Sequence, residues 1–419
     1  MVLKNLLQPE IQDFIFEHQN DNPTDLMLQS SKYPNWPMRE IAAQIQARQK
    51  AKNKLPSEFL QKNILLKPLS VEQCSSQETA SYKSKLIAGK TLLDLTGGLG
   101  IDTFFFAQVF EKVIYNEIQE ELFEMVRHNY RSFGIENVFF FQKSAEDLLK
   151  ETDWADVIYL DPARRDEQAR KVFQLRDCSP NVLEMTPLLL QKSTQILLKL
   201  SPMLDIAQGI QAFHQKNVQV QKVWVLALHN EVKELLFLIC TKKIKEPEII
   251  AVNLEKNQTN DFPYKPSEEE NAEIPYRLPE TDDLLIEPNR AIMKAGAFKI
   301  FADRYDLYKL HPNSHLYLTN LENFAKQLKS DFSGMLQASR VFKIQAVSKY
   351  HKKEIQAYLP QKKANITARN FPESVAHIRR KLELKEGGSK YLFATTTLER
   401  NLVILVCEPI SNPPNPNIN

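Results

Sequence analysis

The stretch Lys90–Gly100, KTLLDLTGGLG, followed by Ile101–Gln108, IDTFFFAQ, decides how this chain reads. A short apolar run ends at Asp94, three glycines follow within six residues, and helix formers then resume. Four of the ten glycines in the 419-residue chain (Gly89, Gly97, Gly98 and Gly100) fall within twelve positions. Such a cluster marks backbone that needs positive φ or the close approach of a ligand. A strand that turns through glycines into a helix leaves free N–H groups and the positive end of the helix dipole at the turn, which suits an anionic group.

Outward from this loop, short apolar runs alternate with longer amphipathic stretches. TLLDL, KVIYNE, NVFFFQ, ADVIYLDP, QILLKLSP, VQKVWVLAL and ELLFLIC read as strands; DTFFFAQVF, EELFEMVRHNYRSF and SAEDLLKE read as helices. Apolar strands separated by helices predict an α/β fold, a mainly parallel sheet covered on both faces. The last two strands are close enough to form an antiparallel hairpin. Residues 1–88 read as a helical N-terminal region. Within it, Pro37–Lys54 opens on a proline and carries Arg39, Arg48, Lys50, Lys52 and Lys54 as a basic stripe. The sheet domain spans residues 89–245. Residues 246–340 begin as strand material and continue as an acidic, proline-bearing exposed connection. Residues 341–412 form a small α+β domain.

The composition is globular, with 43% hydrophobic and 25% charged residues. No apolar run reaches the ~18–20 residues needed to span a bilayer, and MVLKNLLQPEIQDF does not read as a secretory signal. Cys74, Cys178, Cys240 and Cys407 lie far apart without a CxxC pair, which fits a reducing, cytoplasmic setting and argues against a zinc knuckle. The net charge of +2 hides an uneven distribution. From Glu246 to Glu287 there are twelve acidic and three basic residues; from Val341 to Arg400 there are thirteen basic and five acidic ones. The basic segment suits a polyanion, or simply a solvated surface.

Two further positions carry chemistry. Glu117 closes the second strand, twenty residues beyond Gly97, where an acid can accept hydrogen bonds from two ribose hydroxyls. The loop is Asp-x-x-Gly-Gly-x-Gly rather than the Gly-x-Gly-x-x-Gly of dinucleotide sites. Asp161-Pro162-Ala163-Arg164-Arg165 follows ADVIYL directly, at the strand edge where open α/β sheets bind ligands.

The motifs DLTGGLGID, NE at the second strand and DPARR at the fourth resemble those of class I S-adenosylmethionine-dependent methyltransferases. The likeness is greatest to a bacterial family with a ferredoxin-like segment and a THUMP-like C-terminal domain. It spans nearly the whole chain, including SKYPNWPMREIAAQIQARQKAKNKLP, EPNRAIMKAGAF, LHPNSHLY and KANITARNFP…GGSKYLFATT. The core also resembles guanine-N2 methyltransferases of small-subunit ribosomal RNA and RNA cap guanine-N2 enzymes. The resemblance implies a Rossmann-like core, a ferredoxin-like segment within residues 246–340 and a THUMP-like domain over residues 341–412. It also implies S-adenosyl-L-methionine as cofactor, contacted by Asp94, Thr96, Gly97, Gly98, Gly100, Asp102, Glu117, Ser144 and Asp161. The loop would receive the methionine carboxylate, with Asp94 facing the ammonium. The acid that often meets the adenine amine is replaced by Ser144 in KSAEDLL, so that contact falls to Ser144, Glu146 or Asp147.

Methyltransferases acting on exocyclic amines carry (Asp/Asn)-Pro-Pro-aromatic after the fourth strand. Here Asp161, Pro162 and Arg164 are the expected catalytic positions, and the aromatic is missing. Arginine can instead stack on a base or hold a phosphate, or Arg164 and Arg165 can pair with Asp166 and Glu167. Cys178, seventeen residues beyond Asp161, sits in no context matching a cysteine nucleophile. His311 and His315 in HPNSH are interrupted by Pro312 and no further ligand cluster is visible in the sequence, so no metal is expected. Lys343, Lys349, Lys352, Lys353, Lys362, Lys363, Arg369, Arg379, Arg380 and Lys381 could track phosphates, with Phe371 and Tyr391 among them. Three readings follow: methylation of an exocyclic base amine in ribosomal or transfer RNA, methylation of a protein or small molecule by the same core, or a catalytically silent RNA-binding module.

Overall fold

The structure, a computed structural model, describes residues 2–164, 175–255 and 258–410. The chain divides into two compact units, residues 1–222 with 234–245, and residues 223–233 with 246–419.

The first unit opens with six helices: α1 (Val2–Leu6), α2 (Pro9–Glu17), α3 (Pro23–Leu28), α4 (Met38–Ala51), α5 (Pro68–Gln73) and α6 (Gln77–Ser84). They bury an apolar cluster of Leu6, Ile11, Phe14, Ile15, Leu26, Met38, Ile41, Ile45 and Leu65 against Met125. Three of the five cations of the basic stripe expected over residues 37–54 are engaged within the protein, whereas Arg39 and Lys52 are exposed. Arg48 is buried and donates to the carbonyls of Leu60, Gln61 and Ile64. Lys54 Nζ donates to the carbonyls of Val71 and Glu72, and Lys50 pairs with Glu72. Arg48 thereby satisfies carbonyls of the chain between α4 and α5, and Lys54 two carbonyls in the last turn of α5, where helical partners are lacking.

The sheet follows with β1 (Thr91–Asp94), α7 (Ile101–Phe106), β2 (Lys112–Asn116), α8 (Glu120–Phe133), β3 (Val138–Phe141), α9 (Ala145–Glu151) and β4 (Val157–Leu160). Next come a short antiparallel pair, β5 (Ala163–Arg164) with β6 (Cys178–Ser179), then α10 (Val182–Lys192), β7 (Gln195–Leu200) and α11 (Ile206–His214). β8 (Gln219–Leu228) begins in this unit and β9 (Glu231–Cys240) ends in it, while residues 223–233 between belong to the second unit; His229 and Asn230, both at positive φ, form the two-residue turn, which suits hairpin twist. Parallel pairing runs β3–β2–β1–β4–β7, and β9 joins β7 antiparallel. All four residues of β4 are buried, as two helix-covered faces require. Asn129 on α8 donates to the Leu65 carbonyl and accepts from its amide, fixing the N-terminal segment on the sheet domain.

In the second unit, β10 (Glu248–Glu255) and β11 (Gln258–Tyr264) form an antiparallel pair, followed by α12 (Pro266–Asn271). The acidic stretch expected as an exposed connection thus supplies a strand and a helical turn, because β10 and β11 bury Ile249, Ala251, Phe262 and Tyr264. Beyond it lie β12 (Leu284–Pro288), α13 (Arg290–Ala295), α14 (Lys299–Arg304), β13 (Tyr308–Lys309), β14 (Tyr317–Thr319) and α15 (Leu321–Ala338). The chain ends with β15 (Ser339–Lys349), α16 (Lys352–Ala357), β16 (Asn365–Arg369), α17 (Val375–Lys381), β17 (Tyr391–Thr396) and β18 (Leu402–Pro409). One seven-stranded sheet, β13–β14–β12–β15–β18–β17–β16, joins the segments before and after α15. Among the described residues no helix is long and apolar enough to cross a membrane.

Candidate active site

Strand β1 lies between β2 and β4, so successive crossovers run to opposite sides of it. Open α/β sheets leave a ligand crevice at the carboxyl ends of strands at such a point. Hydrogen bonds join the predicted residues of the loops after β1, β2 and β4 at this edge of the sheet.

Asp94 ends β1 and is fully buried. Its Oδ1 accepts from the Thr96 amide at 3.1 Å and its Oδ2 from the Thr103 hydroxyl at 2.6 Å. Burial pushes its carboxyl up to about 7, against the pull of the Thr103 and Thr96 hydrogen bonds. Asp94 is therefore held by both of its oxygens, which tie the end of β1 to the glycine loop and to α7.

The glycines have separate reasons to be there. A Cβ on Gly97 would lie 2.1 Å from Cε2 of Tyr115, so only glycine lets the loop pass over that ring. Gly100, at φ 78°, caps α7, where a Cβ would meet Val126 at 2.9 Å. Gly98, at φ 55°, faces open space: a Cβ there would meet only the Thr96 carbonyl, at 3.9 Å. Two tyrosines hold the loop, Tyr115 donating to the Gly98 carbonyl at 2.6 Å and Tyr130 to that of Gly100. Glu117 accepts from the Gly98 amide at 3.1 Å and from the Gln119 amide at 2.8 Å, one bond to each oxygen. Each oxygen keeps acceptor capacity for a hydroxyl.

At the end of β3, Ser144 caps α9. Its Oγ accepts from the Asp147 amide at 3.1 Å and its hydroxyl donates to Asp147 Oδ2 at 2.8 Å. Asp147 also pairs with Lys150 at 2.9 Å, and these bonds hold its carboxyl below the usual range. Asp102, expected to touch a cofactor, instead points into the protein. It accepts from Ser75 at 2.9 Å and from Tyr159 at 2.8 Å, and lies 3.0 Å from Lys83 Nζ. Burial alone would raise its carboxyl, but Lys83 and Lys199 outweigh that and lower it.

Asp161 follows β4. Its amide donates to Thr96 Oγ1 at 2.6 Å, and its Oδ2 accepts from Lys199 Nζ at 2.6 Å. Its side chain is 36% exposed, whereas that of Lys199 is 12% exposed. Oδ1 of Asp161 has no partner among the described residues. Pro162 is half-buried beside it. Arg164 has its backbone in β5, in register with Cys178; its side chain, like Arg165, Asp166 and Glu167, lies outside the described residues. Cys178 is thus close to the motif in space, but it is buried.

Sequence reasoning missed Lys199, Lys83 and Glu234. Lys83 is fully buried and donates to Ser75 at 2.6 Å and to Glu234 at 2.8 and 3.0 Å. Lys199 lies 4.0 Å from Glu234. Burial works against the charge of Lys199, yet Asp161, Glu234 and Asp102 together hold its ammonium above its ordinary value. The available signal was one lysine in QILLKL and one glutamate in KELLFLIC, lone charges inside apolar strands.

In the second unit, several of the expected phosphate-tracking cations have acidic partners: Lys343 with Asp282, Lys352 with Glu383, Arg379 with Glu386, Lys381 with Glu373. Buried Glu287 holds both Arg369 and Arg340. Lys349, Lys353, Lys362 and Lys363 make no ion pair among the described residues. Phe371 packs on the apolar cluster around Ile355 and Leu392, and Tyr391 on that around Phe342. His311 accepts from the Asn313 amide and His315 stacks on Phe298. No group of three metal-ligand side chains occurs among the described residues.

Comparison with known proteins gives three family matches. Residues 89–235 match a family described as RNA cap guanine-N2 methyltransferase, residues 284–324 a ferredoxin-like domain, and residues 339–409 a family described as THUMP domain-like. A crystal structure from Porphyromonas gingivalis W83, provisionally described as a methyltransferase, is 32% identical and covers 97% of this chain and 99% of its own, with a TM-score of 0.83. A similarly described Streptococcus mutans protein in complex with SAH is 15% identical, covering 39% of this chain and 96% of its own at a TM-score of 0.29. An rRNA methylase from Streptococcus thermophilus is 12% identical, covering 40% and 95% at 0.29. No curated protein matches the chain.

Proposed function

Because the chain belongs to the bacterial methyltransferase family of the Porphyromonas gingivalis protein, with a class I core, a ferredoxin-like segment and a THUMP-like C-terminal domain, we propose that it methylates an exocyclic base amine of ribosomal or transfer RNA, with S-adenosylmethionine as donor. The observation that carries this reading is the pairing of the open glycine loop with a half-exposed carboxylate, Asp161, bonded to that loop through Thr96.

The residues present fit the donor. Gly98 leaves a cradle where its missing Cβ would stand, beside free N–H groups at the start of α7 that suit a carboxylate. Glu117 has acceptor capacity for ribose hydroxyls. Ser144 and the Asp147 it orients stand at the end of β3, on the side where the adenine amine is expected. When bound, S-adenosylmethionine supplies a methyl already activated on a sulfonium.

Asp161 then accepts an N–H from the target amine and fixes its orientation, which aims the nitrogen lone pair at the methyl. Pro162, on that view, limits the loop's freedom. The new N–C bond forms as the S–C bond breaks, and the proton left on the methylated nitrogen goes to solvent. No strong base is needed, so alignment and electrostatics supply most of the acceleration. Arg164 is assigned to a substrate phosphate or base face, and Lys349, Lys353, Lys362 and Lys363 to RNA phosphates.

The test is transfer of labelled methyl from S-adenosylmethionine to RNA purified from cells lacking the gene, followed by mass spectrometry of the nucleosides. Label in one N-methylated nucleoside is expected. Label that survives nuclease and stays with protein or small molecules would assign the core another acceptor, and no label anywhere would reject the enzyme.

A further inference from the structure

We infer that Lys199 positions Asp161, and that Lys83, from the N-terminal helical segment, keeps the charge of Lys199 available for that task. The inference rests on the reading of Asp161 as the acceptor of the target amine.

Five charged side chains form one connected cluster. Lys199 Nζ is 2.6 Å from Asp161 and 4.0 Å from Glu234. Lys83 Nζ is 2.8 Å from Glu234 and 3.0 Å from Asp102. Lys83, Glu234 and Asp102 are at least nine-tenths buried, and their charges must be balanced locally because water cannot do it. Coulomb attraction falls with distance, and only close pairs add a hydrogen bond. The short contacts therefore assign Lys83 to Glu234 and Asp102, and Lys199 to Asp161. Among the described residues, two cations of this cluster face three carboxylates, and Asp161 is the carboxylate with the largest exposed surface.

This arrangement has two consequences for the site. With Oδ2 held by Lys199, the Asp161 carboxylate is fixed about its own axis, and Oδ1 is left to accept from a ligand. Without Lys83, the buried carboxylates of Glu234 and Asp102 would be uncompensated and would draw the Lys199 ammonium away from Asp161. Helix α6 thereby takes part in the site without approaching a substrate. Ser75 and Tyr159 support the same cluster by donating to Asp102.

The experiment compares wild type with Lys199→Met, Lys199→Arg, Lys83→Met and the double variant Lys83→Met/Glu234→Gln. In methyl transfer to RNA, Lys199→Met should lower kcat on the order of 100-fold, the scale of loss for a misaligned reacting group. Affinity for S-adenosylhomocysteine should stay within about twofold, since the glycine loop is untouched. Lys199→Arg should restore most of kcat. Lys83→Met should lower kcat although it is remote, and adding Glu234→Gln should recover it by removing a carboxylate that would compete for Lys199. A purely structural role would lower thermal stability in all four without splitting kcat from cofactor affinity. Crystal structures of Lys199→Met and Lys83→Met give a reading that needs no substrate: the Asp161 side chain should leave its wild-type position in both. An unchanged kcat in Lys199→Met, or an unmoved Asp161 in these structures, would overturn the inference. If the wild type transfers no methyl to RNA, the acceptor reading fails by itself and the crystal structures still decide the positioning. Should Lys199→Met not fold, Lys199→Met/Glu234→Gln restores the net charge of the cluster by removing one buried carboxylate, and takes its place.

Discussion

The main-chain amide of Asp161 donates to the hydroxyl oxygen of Thr96 at 2.6 Å. One hydrogen bond thus ties the loop after β4, where an acceptor amine is expected, to the glycine loop after β1. Thr96→Val keeps the shape of the side chain but leaves that part-buried amide unpaired. Affinity for S-adenosylhomocysteine should fall by about 1–2 kcal/mol, and Thr96→Ser should retain it. Calorimetric titration of the two variants checks this; equal affinities would show that the bond does not couple the loops.

Gly97 is a more severe case. Its Cβ position overlaps the ring of Tyr115, itself fully buried and bonded to the Gly98 carbonyl. Gly97→Ala must push the loop off the ring, at a cost of about 1–3 kcal/mol for overpacking. Chemical denaturation should show that loss, and cofactor binding should disappear with it. The double variant Gly97→Ala/Tyr115→Leu, which opens the space, should recover part of the stability.

The buried carboxyl of Asp94 carries a pH signature. Its value of about 7 in the folded state exceeds the ordinary 3.8. A group raised by folding contributes stability that is complete below the unfolded value and is lost as pH rises through the folded one. Between about pH 4 and 7 the Asp94 contribution should fall by about 1.4 kcal/mol per pH unit, then level off. Urea unfolding of wild type and Asp94→Asn across this range isolates it: the stability difference between the two should drift in favour of the asparagine variant as pH rises.

Arg48 tests the N-terminal region. Its guanidinium, lowered to about 10 by burial, satisfies three carbonyls of the chain after α4. Arg48→Met leaves those acceptors unpaired and should destabilise the protein by about 3 kcal/mol. Thermal unfolding measures the loss. Arg48→Lys should not rescue it, because one ammonium cannot span carbonyls from Leu60 to Ile64.

The parallel strands were legible because each is a short apolar run between amphipathic helices, and the glycine loop because glycine is rare elsewhere in this chain. The positions of Glu117 and Asp161 at strand ends followed from the same pattern. Hydropathy could not show where charges are satisfied. Arg48 reads as a surface cation on a helical periodicity, yet it is buried, since the irregular segment beside it offers carbonyls that only a long forked donor can reach. Lys83, Lys199 and Glu234 are far apart in sequence, and only the folded sheet reveals them as one cluster. Asp102 lies one turn from the glycine loop and reads as part of it, but Lys83, Ser75 and Tyr159 draw it inward. The single sheet joining β12 to β15 was equally hidden, because pairing across the length of α15 leaves no local signal.

We place a sulfonium nucleoside beside Gly98 and Glu117. Calorimetric titration of S-adenosylhomocysteine into the wild type and into Glu117→Ala tests it most directly. One site per chain is expected in the wild type, with an affinity loss of about 2–3 kcal/mol in the variant, the scale of hydrogen bonds to a charged group. Absence of binding by the wild type, or equal binding by both proteins, would contradict it.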